Sequence, residues 1–307
     1  MYMANYLIIS ILILYLGSLL SSLPLTNNKI DNFERSADLN SNLRVESYDQ
    51  EQIIKDINHW SDNDSLNVWE LSGLFEGDIV INDVDTNVIA KNGLVNKTMQ
   101  WTYGIIPYMI NSDNFDENDI EKIQKAIAEF HSKTCLKFRP YNEFDINFIV
   151  FQADGAGCYS SVGKQAQYQI INLQKPNCLK HGTIVHEILH AVGFYHQQST
   201  FDRDEHVKIY WNNIKSGKEH NFRKYTSDIV TDYDVGYDYK SIMHYSSKAF
   251  SKNGNITIAP MKENTIIGQR KKMSKKDLLK LQIMYKDECE RRSELTEDFD
   301  FPLIIIN

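Results

Sequence analysis

Three histidines at fixed intervals constrain this chain more than any other feature. His186 and His190 stand four residues apart with Glu187 between them, and His196 follows six residues later, across Gly193. A spacing of four places both imidazoles on one face of a helix, within reach of a single ion. Thr183 offers a cap for that helix, and Gly193 supplies the left-handed conformation that ends it and turns the chain back toward a third ligand, His196. Three neutral imidazoles leave tetrahedral zinc one open position for water, whose pKa the metal lowers to about 7. Glu187, one position past His186, is placed to act as general base toward that water. A helical histidine pair alone is often only surface or core. The full H-E-x-x-H-x-x-G-x-x-H pattern favours a site for one zinc ion per chain.

Composition narrows the surroundings of that site. The 307 residues are 42% apolar and 24% charged, with a formal net charge of −8, ordinary values for a globular protein with a sizeable core. No Lys/Arg run carries interleaved aromatics, so nucleic acid is set aside as a partner. Tyr6 to Leu20 is an apolar run without charge, followed by Ser21, Ser22 and Pro24. The run falls short of the roughly 20 residues of a spanning helix and reads as a secretory signal peptide, not a stable membrane anchor. Four cysteines, Cys135, Cys158, Cys178 and Cys289, all lie downstream of it. An even count in an exported chain implies two disulfides, with three pairings open. Sequons at Asn63, Asn96 and Asn255 suit a secreted, extracellular glycoprotein.

Residues 23 to 91 are polar, free of cysteine and rich in Asn, Asp and Ser. Their one amphipathic stretch carries Ile53, Ile54 and Ile57, the mark of a segment that leans on another body. From Trp101 the texture turns aromatic and β-branched, as a packed domain requires. Ile120, Ile123, Ile127 and Phe130 mark a helix that starts near Asp116 to Asp119. Strands are expected at Ile105 to Ile110, Ile146 to Phe151 and Gln169 to Leu173. Ser274 and Asp277 form a capping-box-like start for a last helix, expected to end before Cys289.

His186-Glu-Ile-Leu-His190-Ala-Val-Gly193-Phe-Tyr-His196, with the later Ser241-Ile-Met243-His-Tyr245, resembles the astacin family of metzincin zinc endopeptidases. The resemblance covers roughly Asn92 to Cys289 and reaches into the segment before it. It implies an α+β fold of two subdomains, an N-terminal one with a twisted sheet and two long helices and a mostly irregular C-terminal one, with a cleft between. It further implies that Met243 forms the Met-turn under the metal and that Tyr245 is a fifth ligand which swings away to stabilise the reaction's oxyanion. The disulfides it implies are Cys135 with Cys289 and Cys158 with Cys178. Phe75-Glu-Gly77-Asp78 resembles the family's aspartate switch, in which Asp78 takes the open metal position and holds the enzyme latent. The chain then divides into a signal peptide (1–22), a pro-segment (23–91), a peptidase domain (92–291) and a tail (292–307). A trypsin-like protease is expected to activate it by cutting Lys91-Asn92, releasing an amino terminus that in relatives meets a glutamate after the third histidine. Here that position is Gln197, which offers no charge, and the family's usual arginine is replaced by Thr200. Arg270, in Gly268-Gln-Arg270, resembles a residue that lines the substrate pocket after the scissile bond and favours acidic side chains. Substrates are then proteins or peptides. A zinc- or polypeptide-binding protein without activity is the alternative, and the retained Glu187 argues against it.

Overall fold

The computed structural model describes residues 50–81 and 96–297. The expected signal peptide, the Lys91-Asn92 bond and residues 298–307 of the tail lie outside them. Helix α1 (Gln50–His59) buries Ile53 and Ile57 and leaves Ile54 exposed, so its apolar face is two residues wide. The chain then crosses the domain, and Trp60, Val68 and Trp69 sink into the same apolar core as the sheet.

That sheet comprises β1 (Ile105–Ile110), β2 (Lys137–Pro140), β3 (Phe148–Gln152), β4 (Cys158–Ser160) and β5 (Tyr168–Leu173), in the order β2-β1-β3-β5-β4. Strands β2, β1, β3 and β5 run parallel, with Met109 opposite Val150 and Val150 opposite Ile170, while β4 pairs antiparallel at one edge. Helix α2 (Glu117–Lys133) links β1 to β2. Asp116 caps it by accepting from the Asp119 amide at 2.9 Å, which satisfies an amide the helix itself leaves unpaired. Ile123, Ile127 and Phe130 of α2 are buried against the sheet, each contributing about 1.5–3 kcal/mol.

Helix α3 (His181–Ala191) is buried from Gly182 to Ala191, as expected of a helix apolar on every side. It starts earlier than the sequence suggested. Lys180 occupies the cap position without a side-chain bond, and Thr183 lies inside the first turn. The tight turn at Asn177–Leu179, tied by the Cys158–Cys178 disulfide, delivers the chain so that the Ile184 amide already reaches the Lys180 carbonyl at 3.0 Å. Gly182 is required here, because a Cβ would collide with the Arg270 carbonyl.

Beyond Ala191 the chain is mostly turns and short 3-10 stretches. One small antiparallel pair, β6 (Val207–Ile209) with β7 (Ile258–Pro260), sits over a second apolar cluster that holds Phe222, Tyr245 and Phe250. Helix α4 (Lys275–Met284) begins with the expected capping box of Ser274 and Asp277. That helix ends before Cys289 as expected, but it is not the last: α5 (Lys286–Glu297) follows and carries the chain through that residue. Tyr285 separates the two helices because its buried hydroxyl reaches inward to the Val192 carbonyl at 2.9 Å. The Cys135–Cys289 disulfide then ties α5 to the end of α2, and the two observed bridges are those the resemblance implied. No helix among the described residues is long and apolar enough to cross a membrane.

Candidate metal centre

Helix α3 sets His186 and His190 with ring centroids 4.8 Å apart. Gly193, at φ +116°, turns the chain. His196 follows, with its ring 4.7 Å from His190 and 5.3 Å from His186. Each Nδ1 is held from outside: His186 donates to the Ile242 carbonyl at 2.9 Å, His190 to the Phe194 carbonyl at 2.7 Å, and His196 to Glu76 Oε2 at 2.8 Å. These bonds fix the tautomer and turn every Nε2 inward. The inward atoms meet the Asp78 carboxylate, at 3.0 Å from His186 and 3.4 Å from each of the other two. All four ligand atoms lie within 4.8 Å of one another and all four residues are buried.

The site is fit for a metal by its own polar chemistry. Asp78 Oδ1 and the Nε2 atoms of His190 and His196 are buried without a hydrogen-bond partner, a costly state that a bound cation relieves. Three imidazoles and one carboxylate are a donor set that suits zinc. Burial pushes His186 down to about 4, which keeps its ring neutral and able to ligate. For Asp78 burial favours the neutral acid, but His196 and His190 outweigh it and hold the carboxyl well below its usual range. Both oxygens of Glu187 are likewise buried and unpartnered. Burial first, and the Asp78 charge second, raise its carboxyl well above the ordinary value.

The segment 241–245 forms the floor of this arrangement. Asp277 of α4 accepts from Ser241 Oγ at 2.6 Å and from the Ile242 amide at 3.0 Å, and the Met243 carbonyl accepts from the Gln197 amide at 2.9 Å. Met243 is buried in the main core. The Tyr245 ring lies 4.7 Å from His196, and its hydroxyl donates to the Glu76 carbonyl at 2.6 Å. Gln197 Oε1 accepts from the buried Lys280 ammonium at 2.9 Å, and Asn92, whose freed amino terminus was expected beside it, lies outside the described residues. Arg270 is engaged by residues 60–67. Its guanidinium donates to the carbonyls of Asp62, Asp64 and Leu66 and lies 5.0 Å over the Trp60 ring.

Several residues escaped the sequence reading. Trp69 stacks on the His186 ring at 4.1 Å, and Glu70 accepts from the Ser246 amide and hydroxyl at 2.6 and 2.8 Å. Burial pushes the Glu70 carboxyl up to about 7. Glu76 carried no role in sequence, although a carboxylate two positions before Asp78 and next to a glycine was the available signal. Residues 78–80 also add to the sheet edge at β4. The Val80 amide donates to the Ser160 carbonyl at 2.9 Å, and the Ser160 amide to the Asp78 carbonyl at 3.0 Å.

With this geometry in hand, the comparisons with known proteins are specific. The family model described as Astacin, a family of peptidases, matches residues 93–286. Zinc metalloproteinase nas-13 of Caenorhabditis elegans is 36% identical over 255 residues, covering 78% of this chain and 56% of its own length. Seminal metalloprotease 1 of Drosophila melanogaster is 38% identical over 224 residues, covering 70% of this chain and 88% of its own. The chain spans about half of nas-13 and 34% of a second relative, nas-15 of the same nematode. Among solved structures, high choriolytic enzyme 1, a hatching-enzyme zinc protease of Oryzias latipes, superposes with a TM-score of 0.56 at 31% identity. That match covers 68% of this chain and 99% of the other.

Proposed function

The chain belongs to the astacin family of zinc metalloendopeptidases, and from that premise we propose that it is a secreted peptidase held latent by its own residues 23–91. One observation carries the reading: three Nε2 atoms converge on the Asp78 carboxylate beside a buried, unpartnered Glu187. His186, His190 and His196 would hold the zinc, and Asp78 would occupy the fourth position in the latent form. When bound, zinc supplies Lewis-acid polarisation of the scissile carbonyl and an acidified water.

The remaining chemistry falls to side chains. Glu187 takes the water's proton on a carboxylate oxygen and hands it to the leaving amine nitrogen; in the latent form burial and the Asp78 charge raise its carboxyl. Departure of Asp78 removes one cause of that rise and leaves burial as the other. Tyr245, freed from the Glu76 carbonyl, donates to the oxygen on which charge develops. Arg270, released from the carbonyls of residues 62–66, would favour an acidic side chain after the scissile bond. Two disulfides suit export to an oxidising compartment. An activating trypsin-like protease would act at Lys91-Asn92, and proteins or peptides are the substrates.

The test expresses the secreted protein, opens it with trypsin, and follows casein hydrolysis with and without a zinc chelator, with Glu187→Ala as control. Activity that appears on cleavage and is lost with chelator or in the variant is expected. A folded, zinc-loaded protein that stays inactive would move the reading to a silent binding protein.

A further inference from the structure

Glu76 is held as completely as a bound ligand. Its carboxylate, fully buried, receives three donors: His196 Nδ1 at 2.8 Å on Oε2, and Tyr225 Oη at 2.8 Å and Ser199 Oγ at 3.0 Å on Oε1. Its backbone is held as well, with the amide on Asn221 Oδ1 at 2.9 Å and the carbonyl under the Tyr245 hydroxyl at 2.6 Å. Every one of these partners lies between residues 196 and 245, in the body that remains when the pro-segment leaves. Tyr225 is tied to Ser199 through its own amide at 2.8 Å, so the cradle is braced without Glu76.

Release of the pro-segment strips three buried donors of their acceptor. Water refills the emptied cradle, but the partner that reproduces these bonds is another carboxylate, since charge-assisted bonds of this kind are about twice as strong as neutral ones. We propose that His196, Ser199 and Tyr225 form an acidic-side-chain subsite of the active enzyme, in which a substrate glutamate or aspartate beside the scissile bond replaces Glu76. The Tyr245 contact places the neighbouring carbonyl within reach of a side chain already given a catalytic role. This subsite is separate from Arg270, whose contacts in this structure fall on residues 60–67. Tyr225 stays a donor through neutral pH, because burial, with the Glu76 charge added, raises its hydroxyl well above 10.

The proposal rests on the peptidase reading, and the experiment separates the two. Peptides differing only as Glu or Gln, scanned through the positions flanking the scissile bond, are offered to the trypsin-opened, zinc-loaded protein. At one position, distinct from any preference abolished by Arg270→Ala, Glu is expected to exceed Gln by about 10-fold in kcat/KM. Tyr225→Phe and Ser199→Ala are each expected to shrink that ratio severalfold. An unchanged ratio in both variants, or no such position, overturns the subsite. A second readout needs no catalysis: a synthetic peptide of residues 66–81 is titrated into the opened protein beside its Glu76→Gln form. About 10-fold weaker binding of the Gln peptide, lost in Tyr225→Phe, supports the subsite, and equal affinities overturn it. If no peptide is cleaved while the two synthetic peptides still differ, the peptidase reading fails and the carboxylate cradle stands.

Discussion

At the scale of residues, the centre divides its ligands by where their outer partners come from. His186 and His190 donate to carbonyls of their own domain, whereas His196 donates to Glu76 of the proposed pro-segment. Tyr245 is likewise engaged by that segment, through the Glu76 carbonyl. Its freed hydroxyl would face the oxygen that gains charge in the reaction. Tyr245→Phe is therefore expected to lower kcat by about 10²-fold with little change in KM, as measured by steady-state kinetics on the opened protein. A loss confined to KM would assign Tyr245 to binding alone.

Among the elements, α3 meets α2 through a charged cluster as well as through packing. Glu129 of α2 accepts from Lys133 Nζ at 2.8 Å and pairs with His181, the first residue of α3, at 2.6 Å. Burial alone would raise the Glu129 carboxyl, but the bonds from Lys133 and His181 outweigh it and lower its pKa from 4.5. A depressed carboxylate contributes stability above its unfolded pKa and loses it as pH falls through the folded value. Urea unfolding should then show Glu129→Gln less stable than the parent by about 1 kcal/mol at pH 7. The gap is expected to close below pH 4.5, and a gap that persists at pH 3 would assign the cost to packing. These elements also show what a sequence can carry. Helix α2 and strand β1 were legible because their periodicity spans many residues, and His186, Glu187 and His190 because helical geometry ties spacing to position. Strands β2, β4, β6 and β7 have three or four residues each, too few for alternation to register. Glu76 and Tyr225 are 149 residues apart, and only the folded chain brings them together.

Across the whole molecule, two disulfides close loops of very different size, 154 and 20 residues. In the chain-entropy picture the longer loop stabilises more, about 5 kcal/mol against about 3 kcal/mol. Paired replacement of Cys135 and Cys289 by serine should lower Tm further than the same replacement at Cys158 and Cys178. The opposite ranking would mean that the short bridge, which positions the start of α3, acts through native geometry. The grip on residues 62–78, within the proposed pro-segment, is also spread over the molecule: Trp69 on His186, Glu70 on Ser246, Glu76 in its cradle, Asp78 on three histidines and Arg270 on the carbonyls of residues 62–66. These contacts all fall on residues 62–78, ahead of the proposed activation bond at Lys91-Asn92, so a cut there would leave them in place. What such a cut would abolish is the covalent tether, and with it the high effective concentration that a tether maintains. On the proposed function, awakening becomes a matter of dilution: a nicked molecule would stay largely blocked by its own severed segment where protein is concentrated and would be freed as it spreads into a larger volume.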